Sequence, residues 1–287
     1  MIYLLLSIAA STLIFIIFKL FDKYNINPLQ AIVVNYFAAC LFGLWSYDAP
    51  IEVGDIASAP WLYGAIILGF LFIAVFNLMA VTAQRNGLSV VSVATKMSVI
   101  IPVIFGIYVY NESANLQKIG GIILALFAVY FTSVKPKTTK NSTKGLWLPI
   151  LLFFGAGIID TSVKYIETTY LAENGIPIFS ATIFAFAFCI GSIILIIKRI
   201  KAPYKLPLKT ILGGSVLGIT NYFSIYYLLK ALNHENLESS TLFTINNVAI
   251  IMTSTLIGLL FFKEQVTKTN WIGIGIAMVS IVLITLA

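Results

Sequence analysis

The sequence predicts an all-α membrane protein whose ten transmembrane helices form two inverted five-helix repeats. Hydrophobic residues make up 60% of the 287 positions and charged residues only 10%, whereas a soluble chain carries charge on roughly a quarter of its positions. Ten apolar runs are separated by short polar segments. Similar residues also recur in the same order in the two halves of the chain.

Each apolar run has the length of a membrane span, which needs about 20 mostly apolar residues to cross roughly 30 Å of hydrocarbon. The runs do not alternate apolar and polar residues, which disfavours a β-barrel. Helices are favoured because they satisfy their own backbone hydrogen bonds in lipid. The predicted spans are 2–21, 29–47, 61–84, 88–110, 116–134, 146–170, 177–197, 208–231, 238–262 and 269–286.

The charges of the loops predict the orientation, because basic loops stay in the cytoplasm. Loops after the odd-numbered spans carry Lys23, Arg85, Lys135, Lys137, Lys140, Lys144, Lys198, Arg199, Lys201, Lys205, Lys209, Lys263 and Lys268. The opposite side carries only Lys118 and, at a helix end, Lys230. We therefore expect both termini outside a bacterial inner membrane. The net charge of +7 then reflects orientation rather than binding of nucleic acid.

An internal repeat divides the chain at a basic linker, residues 135–145, into halves 1–134 and 146–287. Matching residues lie 145 to 152 positions apart, with a separation that grows along the chain: Lys19 and Lys164, Pro28 and Pro177, Cys40 and Cys189, Glu112 and Glu264, Gly121 and Gly273, and Ala125 and Ala277. Each half has five spans, an odd number, so the second half enters the membrane from the opposite side. Inverted repeats recur in secondary transporters, which hold their substrate near the midplane of the bilayer.

Two copies of one pattern place a proline or a small residue in the fourth span of a half, an acidic residue at its end, and glycines in the fifth span. They read "SVIIPVIFGIYVYNESANLQKIGGIILAL" and "IIMTSTLIGLLFFKEQVTKTNWIGIGIAM". In this pattern the chain resembles the EamA family of the drug/metabolite transporter superfamily over nearly its whole length. The resemblance implies export or exchange of small metabolites, often amino acids. It also implies a central cavity lined by helices 1, 3, 4, 6, 8 and 9.

Lys96 lies about eight residues, roughly 12 Å, into the fourth span. An ionisable group at the centre of a span costs about 2.5–3.5 kcal/mol on insertion scales, so it faces protein or water and tends to have a role. Lys96 is either an anchor for a substrate carboxylate or phosphate, or part of a structural contact between helices. Pro102 should kink the same span and free a backbone carbonyl.

Three further charged residues are candidates for gating or coupling. Asp160 and Lys164 are spaced i, i+4 on one helix face, as a self-neutralised pair or as a pair that separates when substrate arrives. Lys19 and its repeat partner Lys164 either snorkel to the interface or act as alternate gates. We read Glu112 and Glu264 as structural residues that bond the N-terminal amides of the next helix.

Neutral polar residues inside spans complete the predicted substrate site. Asn246 and Asn247 lie in the ninth span near the depth of Lys96, and Asn77, Asn221 and Tyr222 lie in the third and eighth spans. Side-chain amides in a membrane bond across helices or hold a polar ligand. Aromatic residues in a span are also common as packing residues.

These residues predict a secondary transporter of small polar metabolites such as amino acids or organic anions, working by alternating access. Three intramembrane lysines against one aspartate favour an anionic or zwitterionic substrate. The first span lacks the carboxylate that the small multidrug branch of the superfamily uses, which disfavours the alternative of proton-coupled export of cationic drugs. A channel or a non-transporting membrane protein is the other alternative. We expect no enzyme activity, cofactor or metal, because one histidine and two buried cysteines form no such constellation, and we expect a monomer or a homodimer.

Overall fold

The computed structural model describes residues 2–45, 53–109, 115–134, 147–171, 175–201, 205–234 and 239–287. These residues form helices and no strand, which confirms the all-α prediction. The basic linker, residues 135–145, and Glu112 lie outside the described residues. The helices are α1 (Ile2–Lys23), α2 (Pro28–Trp45), α3 (Val53–Ser58), α4 (Leu62–Asn86), α5 (Leu88–Met97), α6 (Ile100–Val109), α7 (Leu116–Ser133), α8 (Trp147–Tyr170), α9 (Ile176–Lys201), α10 (Leu208–His234), α11 (Ser239–Phe262) and α12 (Lys268–Thr285).

The described residues contain nine helical stretches that are long and apolar enough to cross a membrane. They are α1, α2, α4, α5 and α6 taken together, α7, α8, α9, Ile245–Phe262 of α11, and α12. The one predicted span not among these nine is the eighth, 208–231, which corresponds to α10; this helix has 27 residues but carries Thr220, Asn221 and Tyr222 in its middle. The chain is therefore an integral membrane protein that crosses the bilayer many times.

The chain divides into two compact units. Unit 1 comprises Met1–Leu20, Leu78–Ile158 and Phe223–Ala287, and unit 2 comprises Phe21–Asn77 and Ile159–Tyr222. Each unit takes segments from both predicted repeat halves, so the units do not coincide with the halves. The division of the chain into two repeats remains a prediction from the sequence.

Unit 1 contains the antiparallel pair α7 and α12, whose ends cap each other. The side-chain NH2 of Asn270 shares its two hydrogens among the carbonyls of Phe131, Thr132 and Val134, which lie 2.9 to 3.0 Å away at the C-terminal end of α7, where backbone carbonyls lack partners within the helix. At the other end Asn115 donates to the carbonyl of Ala287 at 2.9 Å. The two helices therefore form a closed pair in which side chains of each satisfy the backbone of the other.

Glycines set the close approach of α7 and α12. A Cβ built on Gly121 would lie 2.6 Å from Ile284 Cγ1, and one built on Gly273 would lie 2.6 Å from the backbone nitrogen of Thr132. Gly273 and Ile284 follow Gly121 and Thr132 by the same 152 positions. A glycine of α7 contacts residue 284 of α12, and the matching glycine of α12 contacts the matching residue 132 of α7. A two-fold axis that relates the two helices would produce this pair of contacts.

Substitution of Gly273 by alanine is expected to destabilise the protein, because its Cβ would meet backbone rather than the end of a flexible side chain. Overpacking of this kind costs about 1–3 kcal/mol. Gly275, two residues further along α12, has open space around it, and alanine there should be neutral or stabilise by roughly 0.5–1 kcal/mol. Thermal unfolding of the two purified variants in detergent compares them, and equal midpoints would contradict the close packing.

Unit 2 contains the pair α2 and α9 together with the first part of α10. Gly214 and Gly218 of α10 approach the carbonyls of Ala31 and Asn35 so closely that a Cβ would lie 2.5 and 2.7 Å from them. Small residues at these positions let the backbones of membrane helices come together. This contact between α10 and α2 determines the position of Asn221, one turn beyond Gly218.

Candidate functional site

The fourth predicted span is interrupted at Ser98 and Val99, where α5 ends and α6 begins. Pro102 has no N–H with which to continue the helical ladder. The carbonyl of Ser98, the bond partner of residue 102 in a continuous helix, accepts instead from the N–H of Ile101 at 3.0 Å. The sequence correctly predicts a distortion from Pro102, but the Ser98 carbonyl is not left free as expected.

Hydroxyl groups accompany this interruption along α5. The Ser98 hydroxyl donates to the carbonyl of Thr95 at 2.6 Å, the Thr95 hydroxyl to that of Val91, and the Ser92 hydroxyl to that of Ser89 at 3.0 Å. Serine and threonine side chains that bond the preceding turn bend helices. Local sequence chemistry therefore favours the break at this place in the span.

Lys96 lies in the last turn of α5 and is half-buried in unit 1. The last turn of a helix is where the helix dipole favours a positively charged residue. The N-terminal end of α6, which carries partial positive charge, follows only a few residues later. The role of Lys96, as an anchor for an anionic group or as part of a structural contact between helices, stays a prediction from the sequence.

Helix α11 runs antiparallel to α5 in unit 1. A Cβ on Gly258 would lie 3.5 Å from the Cβ of Leu88, the first residue of α5, and α11 has only four residues beyond Gly258. Because this contact joins the C-terminal end of α11 to the N-terminal end of α5, the two helices can pack along their length only if they run in opposite directions. At 1.5 Å per residue, Asn246 and Asn247 reach about the depth of the break between α5 and α6.

Asn246 is the more buried of these two amides, with 2% of its surface exposed. Its side-chain oxygen has no hydrogen-bond partner among the described residues, and burial of such a group costs about 1–3 kcal/mol. Asn247 is half-buried. The expectation that these amides lie near the depth of Lys96 agrees with the packing of α11 on α5.

A second charged cluster lies where α4 turns into α5, in unit 1. Lys19 Nζ is 3.1 Å from Glu264 Oε1, and the two side chains are 19% and 11% exposed. Both carboxylate oxygens of Glu264 accept from the N–H of Leu88, at 2.9 and 3.0 Å. Glu264 thus caps the N-terminus of α5, where negative charge is favoured.

Lys19 caps the other side of this turn. Its ammonium group donates to the carbonyls of Ala83 and Gln84 at 3.2 and 3.4 Å, within the last turn of α4, where positive charge is favoured. The Gln84 side chain in turn donates to the carbonyl of Phe18 at 3.1 Å. The ion pair therefore spans the α4–α5 turn and connects it to α1 and to the segment after α11.

Two glycines make room for the Glu264 carboxylate. Gly87, between α4 and α5, has φ 101°, a backbone conformation that glycine adopts without strain. A Cβ on Gly87 or on Gly258 would lie 2.6 Å from Glu264 Oε2. The carboxylate is therefore enclosed by backbone on these sides.

A cavity of about 200 Å³ opens beside this ion pair. Its lining is mostly polar and consists of Lys19, Arg85, Asn86, Gly87, Ser89, Val90, Glu264, Gln265, Val266 and Asn270. Among the described residues of this lining, two cations and one carboxylate give a net positive charge. By the predicted orientation this end of unit 1 is cytoplasmic.

The comparisons with known proteins agree with this architecture. The sequence profile of the EamA-like transporter family matches residues 143–286. The chain belongs to this family. It is also 29% identical, over 280 residues, to an uncharacterised protein of Haemophilus influenzae, and the alignment covers 94% of this chain and 93% of that protein. The profile match contains Glu264, Asn246 and Asn247, whereas Lys19 and Lys96 lie in the half outside it.

As a member of the EamA-like family, the protein is a membrane transporter of the drug/metabolite superfamily. Lys19 and Lys96, which the sequence singles out as charged groups inside spans, both belong to unit 1. Lys19 contacts the α4–α5 turn, and Lys96 lies in the last turn of α5, before the break to α6. The partner of Lys19 was not predicted. Glu264 does bond N-terminal amides, but those of α5 rather than those of the next helix, so that part of the expectation was wrong.

The remaining predicted site residues of this family member belong to unit 2. Asn221 is 6% exposed and donates to the side-chain oxygen of Asn35 at 3.5 Å, and Tyr222 stacks on Phe42 with ring centroids 5.4 Å apart. Asn77 donates to the carbonyl of Ile73 in its own helix at 2.9 Å. These contacts are those of packing residues between or within helices.

Asp160 and Lys164 lie in the unit 2 part of α8, and both side chains are exposed within the described protein. Their i, i+4 spacing on this helix, Trp147–Tyr170, is as predicted. Their proposed part in gating or coupling stays a prediction.

Proposed function

We propose that this protein is a secondary transporter, an exporter or exchanger, for small polar metabolites that carry an anionic group, such as amino acids or organic anions. The observation that carries the proposal is the interruption of the fourth span directly beside Lys96. Discontinuous helices in transporters present helix ends and side chains to the substrate near the midplane of the bilayer. Lys96 is the group proposed to bind the substrate carboxylate or phosphate.

Asn246 is proposed to supply hydrogen bonds to the same substrate. Its side-chain oxygen, which has no hydrogen-bond partner among the described residues, can accept from an ammonium or hydroxyl group of the ligand. An amino acid would then place its carboxylate toward Lys96 and its ammonium group toward the amide. Asn247, which is half-buried at the same depth, is the second amide proposed for this site.

Alternating access is proposed as the mechanism because of the inverted repeat. The contacts of Gly121 with Ile284 and of Gly273 with Thr132 support the repeat, since one is the other with the helices exchanged. A two-fold relation in the membrane plane lets one fold open alternately to either side. Both termini are proposed to lie outside, and a reporter fused to the C-terminus that proved cytoplasmic would contradict this orientation.

Transport assays with purified protein in liposomes test the proposed substrate class. Vesicles loaded with an unlabelled compound should accumulate the same labelled compound from outside when it is a substrate. Amino acids and organic acids are the compounds expected to be exchanged, and nucleosides and quaternary amines serve as the comparison set. Exchange of quaternary amines alone would contradict an anionic or zwitterionic substrate and would favour export of cations.

A further inference from the structure

We propose that the cavity beside Lys19 is a second binding site, in which the carboxylate of a small molecule takes the place of Glu264 on the Lys19 ammonium group. The ligand class is that of the proposed substrate, and in this respect the inference rests on the proposed function. The site lies at the α4–α5 turn of unit 1, so it is separate in the chain from the break beside Lys96.

The charge and chemistry of the cavity suit a small carboxylate. Among the described lining residues, Lys19 and Arg85 outnumber the carboxylate of Glu264 and give a net positive charge. Ser89 adds a neutral hydrogen-bonding group at the same cavity. Its volume of about 200 Å³ is enough for the carboxylate end of a small molecule.

A ligand carboxylate can replace Glu264 on Lys19 while both charged side chains keep their hydrogen bonds to the backbone. When a ligand carboxylate binds Lys19, Glu264 keeps the hydrogen bonds from the N–H of Leu88. Lys19 keeps its bonds to the carbonyls of Ala83 and Gln84 and exchanges one carboxylate for another. Loss of a charged partner is costly mainly when the remaining group is left buried and uncompensated. Here the ligand carboxylate compensates Lys19, and the partly exposed Glu264 carboxylate keeps the N–H of Leu88.

The surrounding glycines hold Glu264 in place during this exchange. Gly87 and Gly258 enclose its carboxylate so closely that a Cβ on either would lie 2.6 Å from Oε2. The position of the Glu264 carboxylate is therefore determined by its packing on Gly87 and Gly258 and by its hydrogen bonds from the Leu88 N–H, and not by Lys19. Lys19 is then the member of the pair that changes partner, and its release from Glu264 loosens the connection between α1 and the α4–α5 turn.

Protection of an engineered cysteine tests the site without any transport assay. Cys40 and Cys189 are replaced by alanine, and Gln265→Cys, an exposed lining position, is labelled with a thiol reagent in the purified full-length protein. Propionate is expected to slow the labelling about threefold at about twice its dissociation constant, as mass action requires. Propionamide, its neutral isostere, should not slow it. Lys268→Cys, an exposed position outside the lining of the cavity, serves as the control reporter.

Two variants of the pair give opposite expected results. Lys19→Met should abolish the protection by propionate, while Lys19→Arg should retain it. Glu264→Gln keeps an acceptor for the Leu88 N–H but removes the competing charge, so propionate should protect at lower concentration. Equal effects of propionate and propionamide, or unchanged propionate protection in both Lys19→Met and Glu264→Gln, would overturn the site. Because this readout involves no flux, its failure is distinguishable from failure of the proposed transport function.

Discussion

Replacing Lys96 by alanine is expected to raise the half-saturation concentration for an anionic substrate about 10- to 100-fold. The estimate follows from the loss of one hydrogen bond to a charged group, about 1.5–3 kcal/mol, at 1.4 kcal/mol per factor of ten. The reason is local: Lys96 lies in the last turn of α5, beside the interruption of the span. Initial rates of exchange in liposomes, measured over a range of substrate concentrations, give the half-saturation value.

The Lys96→Arg variant is the matched control, because it keeps the positive charge and a donor at the same helix end. It should retain much more of the affinity than Lys96→Ala. Lys268→Ala removes an exposed positive charge at the start of α12 and should behave as the wild type does. If Lys96→Ala kept the wild-type affinity and rate, the role of Lys96 as substrate anchor would be wrong.

Replacing Glu264 by alanine is expected to lower the stability of the protein by about 3 kcal/mol. Breaking a buried ion pair by removing one partner costs about 3–5 kcal/mol, and partial exposure of both side chains reduces this. Loss of the cap on the N-terminus of α5 adds about 0.5–2 kcal/mol. Thermal unfolding in detergent should show a clearly lower midpoint for the variant.

Glu264→Gln separates the two contributions, since the amide oxygen can still accept from the N–H of Leu88 while the ion pair with Lys19 is lost. Its midpoint should lie between those of the wild type and Glu264→Ala. Three equal midpoints would show that the pair contributes nothing to stability. Such a result would contradict a role of the Lys19–Glu264 pair in holding the α4–α5 turn.

The positions of the helices follow from the sequence because each is a long apolar run bounded by polar turns, as in α1 and α9. The break at Ser98 was harder to place. Pro102 predicts a distortion, but whether a helix bends or ends depends on where the backbone groups find new partners, and here Ile101 bonds Ser98. The short helix α3 (Val53–Ser58) was also not predicted, because its polar sequence lies in a loop between two apolar runs.

The partners of polar residues could be predicted only where they are local. The depth of Asn246 follows from counting along a helix, but its packing against α5 is a contact between distant parts of the chain. Glu264 and Leu88 are 176 positions apart, and Asn221 and Asn35 are 186 apart. No spacing rule connects such residues, so the capping of α5 by Glu264 became visible only in the fold.

The measurement that tests the transport mechanism most directly is the initial rate of substrate uptake into proteoliposomes with and without the same substrate inside. An alternating-access carrier must reorient between the two faces, and a loaded carrier can return by exchange. We expect uptake that saturates with external substrate and that becomes faster when unlabelled substrate is present inside. A flux that rises in proportion to concentration and ignores internal substrate would contradict the account and indicate a channel.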